Sequence, residues 1–371
     1  MSGGFSGGFS GGFSGGFSGG FSGGFSGGFS GGFALPPSAN PALLADAMTR
    51  SREALVGPFQ GDTLPVHMPT PLDKPERLAA WGAGPRLSVC ELELLSGLHF
   101  NVNQAKQRLD LGFVNLDRSP LRSLPVVRIN RPTARVLRQQ LGLVANYAEL
   151  REDRGAEILA QMTPQGPFWG SIVGLQEHRN KWTIEIIELA LSLAMHVEMR
   201  FKHAFACQRA DRLSPQIQSV IPSPGHSSVP SGHSTEAFTV ASVIEALMQS
   251  ANGTGAQFRE QLQRQAARIA TNRVVAGVHY PVDSATGRLL GTALGEFFTA
   301  RCLGGRVHAR GFDGRKFHDA EGNVVDFDLR VPMEGNTSGY YEYETASRPV
   351  AASGLLAFMW SKAVAEWKPL E

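Results

Sequence analysis

The chain has 371 residues, with 35 basic against 33 acidic side chains and a formal charge of +2. So even a balance provides no one-signed field to draw in nucleic acid or an anionic membrane surface. The three cysteines, Cys90, Cys207 and Cys302, are odd in number and widely spaced, which excludes a disulfide framework and argues against a multi-cysteine zinc module.

Residues 2–33 are eight copies of Ser-Gly-Gly-Phe. Half of this tract is glycine, with the largest backbone entropy to lose, and a Phe at every fourth position builds no continuous apolar face. A disordered tail is expected, whose spaced rings could also act as weak stickers for self-association. Residues 34–90, rich in Pro and polar side chains, read as an irregular arm wrapping the body, and 91–371 as a helical catalytic domain. Pro132 opens a helical pattern through Val136, Leu137, Leu141, Val144 and Leu150. The longest helical stretch runs from Gln176 to Cys207, with Trp182, Ile186, Leu189, Leu193, Val197 and Phe201 at helical spacing.

After a Pro-rich loop from Ser214 to Pro230, helical patterns recur at about 233–250, 257–276 and 281–300. Phe317 to Val325 reads as a small hairpin turning at Glu321-Gly322-Asn323, and Tyr340, Tyr341 and Tyr343 as an edge or a lid. A last helix is expected from about 350 to 367. No secretory signal is visible and no run of ~18 uncharged apolar residues exists. The expectation is therefore a soluble, cytoplasmic, all-α protein without a membrane span or nucleic-acid partner, its oligomeric state open.

Three short stretches carry chemistry. In the first, Lys202 and Arg209 stand seven residues apart, about two helical turns, so they share a face at ~10 Å along the axis and can converge on one anion. In the second, Pro230-Ser231-Gly232-His233 sits at a loop-to-helix junction. Exposed N–H groups there bind anions, Gly232 lets the backbone come close, and the Ser231 hydroxyl can cap the helix or touch the anion. In the third, Arg273 precedes His279-Tyr280-Pro281-Val282-Asp283. Pro281 suits a first helical turn, so the Asp283 carboxylate can take the Nδ1–H of His279 and leave Nε2 as a lone-pair nucleophile or ligand. Together these groups can hold a tetrahedral oxyanion and attack its central atom.

The series Lys-x6-Arg, Pro-Ser-Gly-His and Arg-x5-His-x3-Asp resembles the type 2 phosphatidic acid phosphatase superfamily, which includes class A acid phosphatases and vanadium-dependent haloperoxidases. The resemblance spans Lys202 to Asp283 and implies a helical bundle of the acid phosphatase/vanadium haloperoxidase type. Two positions depart from the pattern: Ala210 replaces the Pro after Arg209, and Asn272 the Ser before Arg273.

By resemblance, Lys202, Arg209 and Arg273 neutralise the equatorial oxygens, helped by Ser231 and the Gly232 amide. His279 is the apical vanadium ligand in a peroxidase or the phosphorylated nucleophile in a phosphatase, His233 is the acid–base opposite, and Asp283 fixes His279.

Two enzyme readings follow. A haloperoxidase would bind vanadate as cofactor and use hydrogen peroxide to oxidise halide. His226, at a position that carries His in resembling bromoperoxidases, favours bromide, and this reading is preferred. The alternative is a soluble phosphatase that needs no cofactor and hydrolyses phosphate esters through phosphorylated His279. A third, non-catalytic reading is an oxyanion-binding scaffold assembled by the tail.

Overall fold

The computed structural model describes residues 41–58, 61, 68–116, 119–162 and 165–368. The tail at 2–33 lies outside the described residues. The chain divides into two compact units, Met1–Arg86 and Leu87–Glu371. The stretch expected to be an irregular arm contains a helix, α1 (Pro41–Leu55), a 3-10 turn at Pro75–Ala80, and most of α2 (Ala83–Leu95).

Beyond α2 the order is β1 (Leu98–Asn103), β2 (Arg108–Val114), β3 (Ser123–Asn130), α3 (Ala134–Asn146), α4 (Arg151–Ala160) and α5 (Gly166–Val173). Then come α6 (Lys181–Phe205), the single turn α7 (Ala210–Leu213), α8 (Gly232–Asn252), α9 (Gly255–Val275) and α10 (Pro281–Leu303). The chain closes with β4 (Gly305–Asp313), β5 (Tyr341–Val350) and α11 (Gly354–Ala365).

The helices start where the residues require it. Thr133 caps α3, its side chain accepting from the Val136 N–H, and Ser231 caps α8 by accepting from the Ser234 N–H. The apolar stripe of α6, from Ile186 through Leu189, Leu193 and Val197 to Phe201, is buried along its whole length. Helix α10 is buried over nearly its whole length, packed against α8 on one flank and β4 on another. It meets α8 closely because Gly291 carries no side chain; a Cβ there would stand 2.3 Å from the Thr235 carbonyl oxygen. This close approach of α8 and α10 draws the starts of the two helices, which carry Ser231 and Asp283, together.

The expectation of an all-α fold is overturned. Five strands form one mixed sheet in the order β1-β2-β3-β4-β5. All neighbours are antiparallel except β3 and β4, which pair in parallel from Val127–Arg310 to Asn130–Asp313. The helical body between residues 131 and 304 is thus one long crossover between two adjacent strands. The period-2 signal exists in Leu109, Leu111 and Phe113, all buried. It is short, however, and the sheet reaches a strand distant in sequence only through the β3–β4 pairing.

The expected hairpin near Phe317 is a single antiparallel bridge, His318 to Val324. Tyr341 and Tyr343 lie on β5, an edge strand. Among the described residues, no helix is long and apolar enough to cross a membrane.

Candidate active site

Lys202 occupies the last turn of α6 and is 1 % exposed. Its ammonium donates to the main-chain oxygens of Pro230 and, at 3.3 Å, Ser228. Burial lowers its pKa to about 8, while the nearby Glu198 carboxylate acts to raise it.

The helix does not continue to Arg209. It ends at Phe205, where Ala206 turns left-handed (φ 49°) and its N–H closes on the Lys202 carbonyl. The expected common helical face of Lys202 and Arg209 is therefore absent; a turn, not helical spacing, brings Arg209 to the site. Arg209 starts α7 in extended conformation, and Ala210 behind it is fully buried as the first residue of that turn.

From there the Arg209 guanidinium joins two loops. Nε donates to the His226 carbonyl (3.0 Å), Nη2 lies 3.2 Å from His226 Nδ1, and Nη1 donates to the Val278 carbonyl (2.6 Å) and faces His279 Nε2 at 3.3 Å.

His279 sits just before α10, with Asp283 in the helix's first turn. Asp283 Oδ2 accepts from His279 Nδ1 (2.8 Å), from the Tyr280 N–H (3.1 Å) and from the Ser228 hydroxyl. A guanidinium can only donate, so Nε2 of His279 is the acceptor and Nδ1 carries the proton. Burial, with Arg209 and Lys202 adding, holds the imidazole well below its ordinary pKa and hence neutral. Burial raises Asp283 to about 6, against the Ser228 hydrogen bond, so it remains ionised at neutral pH.

The main-chain N–H of Ser231 donates to the Asp283 carbonyl at 3.0 Å, which fastens the start of α8 to that of α10. Gly232 follows, and a Cβ there would meet Glu198 Oε1 at 2.5 Å, so no other residue fits without displacing that carboxyl. His233 places Nε2 3.0 Å from the Gln161 main-chain oxygen. Burial, followed by the charge of Arg273, lowers its pKa to about 3, and Lys202 and Arg209 act in the same direction.

Arg273, in the last turn of α9, is 1 % exposed. Its Nη2 donates to the Ile158 carbonyl (3.0 Å) and to Gln161 Oε1 (3.2 Å), whereas buried Nε and Nη1 have no hydrogen-bond partner among the described residues. A buried cation with two idle donors is costly unless an acceptor arrives. That makes Arg273 the clearest mark of an anion site.

All three cations, the α8 start, both histidines and Asp283 thus gather in one place. His226 is there too, with its ring against Arg209. Two further groups carry no sequence signal of their own. Glu198 lies one turn before Lys202 on α6 and is buried, its pKa raised by burial and by Glu236 on α8. Gln161, fully buried after α4, touches both Arg273 and His233.

The N-terminus of α8 thus lies with three buried cations and a carboxylate-held imidazole. Residues 185–303 match the model of the PAP2 superfamily. Among solved structures, the chain is similar to a transmembrane PAP2-type phosphatidylglycerolphosphate phosphatase from Bacillus subtilis. The identity is 18 %, over 44 % of this chain and 84 % of that one, with a TM-score of 0.35. No curated protein matches the chain.

Proposed function

We propose that the protein is a phosphohydrolase that cleaves phosphate esters by way of a phosphohistidine at His279. The observation that carries this reading is the state of that imidazole: Nδ1–H is committed to Asp283, and the Nε2 lone pair faces the cation cluster. The phosphate of a substrate would displace the Arg209 contact on Nε2 and take up the idle donors of Arg273. Nε2 then forms the N–P bond as the ester P–O bond breaks, and Asp283 stabilises the positive charge that develops on the ring.

The leaving oxygen takes a proton from His233. In the second half, water attacks phosphorus, passes a proton back to His233, and the N–P bond breaks to release inorganic phosphate. Because His233 Nε2–H rests on the Gln161 carbonyl, the proton exchanged is the one on Nδ1. A bound phosphate dianion offsets the three cations that depress this histidine and so restores its capacity to hold that proton.

The same donors suit vanadate, another tetrahedral oxyanion. Lys202, Arg209, Arg273, Ser231 and Gly232 would hold its oxygens and His279 its metal, and the group would supply peroxide activation for halide oxidation. His226, whose ring pairs with Arg209, would stand beside that oxyanion.

The test is hydrolysis of p-nitrophenyl phosphate, inhibited by orthovanadate, with an acid-labile phosphoryl label on His279 that is missing in His279→Ala. Failure to hydrolyse, together with bromination of monochlorodimedone in the presence of orthovanadate, peroxide and bromide, would reverse the assignment.

A further inference from the structure

Gln161 lies outside all three motifs, in the turn that ends α4, yet it is fully buried and bound on four sides. Its side-chain oxygen accepts from Arg273 Nη2 (3.2 Å) and from Asn272 Nδ2 (3.0 Å). Its Nε2 donates to Glu157 Oε1 (2.9 Å), and its main-chain oxygen meets His233 Nε2.

The amide orientation is forced by chemistry. Turned over, it would set an NH2 group against two donors and an oxygen against a carboxylate. The surroundings are also braced. Glu157 takes both of its oxygens to Arg268 on α9, and Arg154 donates to Asn272 Oδ1 at 3.2 Å. One face of α4 is therefore locked onto the end of α9 that carries Arg273.

From this geometry we infer that Gln161 is the positioning residue of the oxyanion site. Its side chain holds the Arg273 guanidinium so that Nε and Nη1 stay unpaired for the anion, while its carbonyl fixes the tautomer of His233. Of the two carboxyl groups that act on Arg273, Glu157 is occupied by Arg268 and Gln161, and Glu236 lies under the influence of Lys202 as well. A neutral amide is the appropriate strut here. A carboxylate at this position would neutralise the cation that the anion needs, and an apolar residue would leave both Arg273 and Asn272 without their acceptor. The departure at Asn272 is explained by the same contacts, since its amide both donates to Gln161 and accepts from Arg154.

The inference rests on the oxyanion reading, and its test separates the two. Inorganic phosphate is titrated calorimetrically into the full chain as wild type, Gln161→Met, Arg273→Ala and the double variant. Gln161→Met should bind about tenfold more weakly, the worth of one misdirected charge-assisted contact, and should add nothing to Arg273→Ala. With p-nitrophenyl phosphate, its KM should rise while the pH profile of kcat keeps its position, because the contact to His233 comes from the main chain.

Should the Met variant not fold, Gln161→Asn withdraws the same amide by one methylene and should lower phosphate affinity in the same direction. No binding by the wild type would remove the oxyanion reading and the inference together. A folded Gln161→Met or Gln161→Asn with wild-type affinity, or losses that multiply with Arg273→Ala, would overturn the inference alone.

Discussion

Arg209 Nη1 stands 3.3 Å from His279 Nε2 and so covers the lone pair on the side of the ring opposite Asp283. Under the phosphohydrolase proposal, the residue that would bind the anion would thereby also shield the nucleophile until the anion comes. Arg209→Ala should expose that nitrogen. Diethyl pyrocarbonate should label His279 faster in the variant than in the wild type, while turnover of p-nitrophenyl phosphate falls by about 10²–10³, the usual loss for one transition-state donor. Equal labelling rates, read by mass spectrometry of the His279 peptide, would mean the contact does not shield the ring.

Asp283 receives three hydrogen bonds on one oxygen and is fully buried. Asp283→Asn keeps the shape but no longer stabilises positive charge on His279. A drop in kcat of about 10²–10⁴ is expected, with a much smaller change in KM. Steady-state kinetics on the folded variant decides, and an unchanged kcat would remove Asp283 from the mechanism.

His233 has its pKa lowered to about 3 by burial and by Arg273. A histidine with a depressed folded pKa contributes stability that is complete above the unfolded value of about 6.5 and is lost as pH falls toward the folded value. Between pH 7 and pH 4 the wild type should therefore lose more unfolding free energy than His233→Gln, by on the order of 2 kcal/mol. The opposing titration of Asp283, whose pKa is raised, is common to both proteins and cancels in the comparison. Parallel denaturant curves at the two pH values would show that this histidine is not held neutral.

Gly291 lets α8 and α10 touch, and Gly291→Ala would drive a methyl into the Thr235 carbonyl at 2.3 Å. Overpacking of this kind costs about 1–3 kcal/mol, to be read from the chemical denaturation midpoint. Because the two helix starts carry Ser231 and Asp283, phosphate affinity should fall as well. A variant as stable as the wild type would mean that the helices can part without cost.

Much of the helical body is legible in sequence. Pro281 and the stripe of α6 announce their elements through local chemistry, namely a fixed φ and a 3.6-residue period, whereas the helix expected to open at Pro132 starts at Ala134, behind the Thr133 cap. The sheet is not legible in the same way, because β3 and β4 are neighbours only after the whole helical body has folded between them. The seven-residue spacing of Lys202 and Arg209 suggests one helix face, but Ala206 ends the helix. A single left-handed residue outweighs periodicity there.

The sequence alone determined the set of chemical groups: the three cations, the Ser-Gly-His junction, and the His279–Asp283 pair four residues apart, whose contact is local and so follows from spacing. Only the tertiary structure decided that Arg209 faces His279 Nε2, which donors of Arg273 stand idle, and that Gln161 and Glu198 adjoin the same groups. Those outcomes depend on burial and on partners tens to more than a hundred residues away, where solvent exclusion and long-range contacts set the energies.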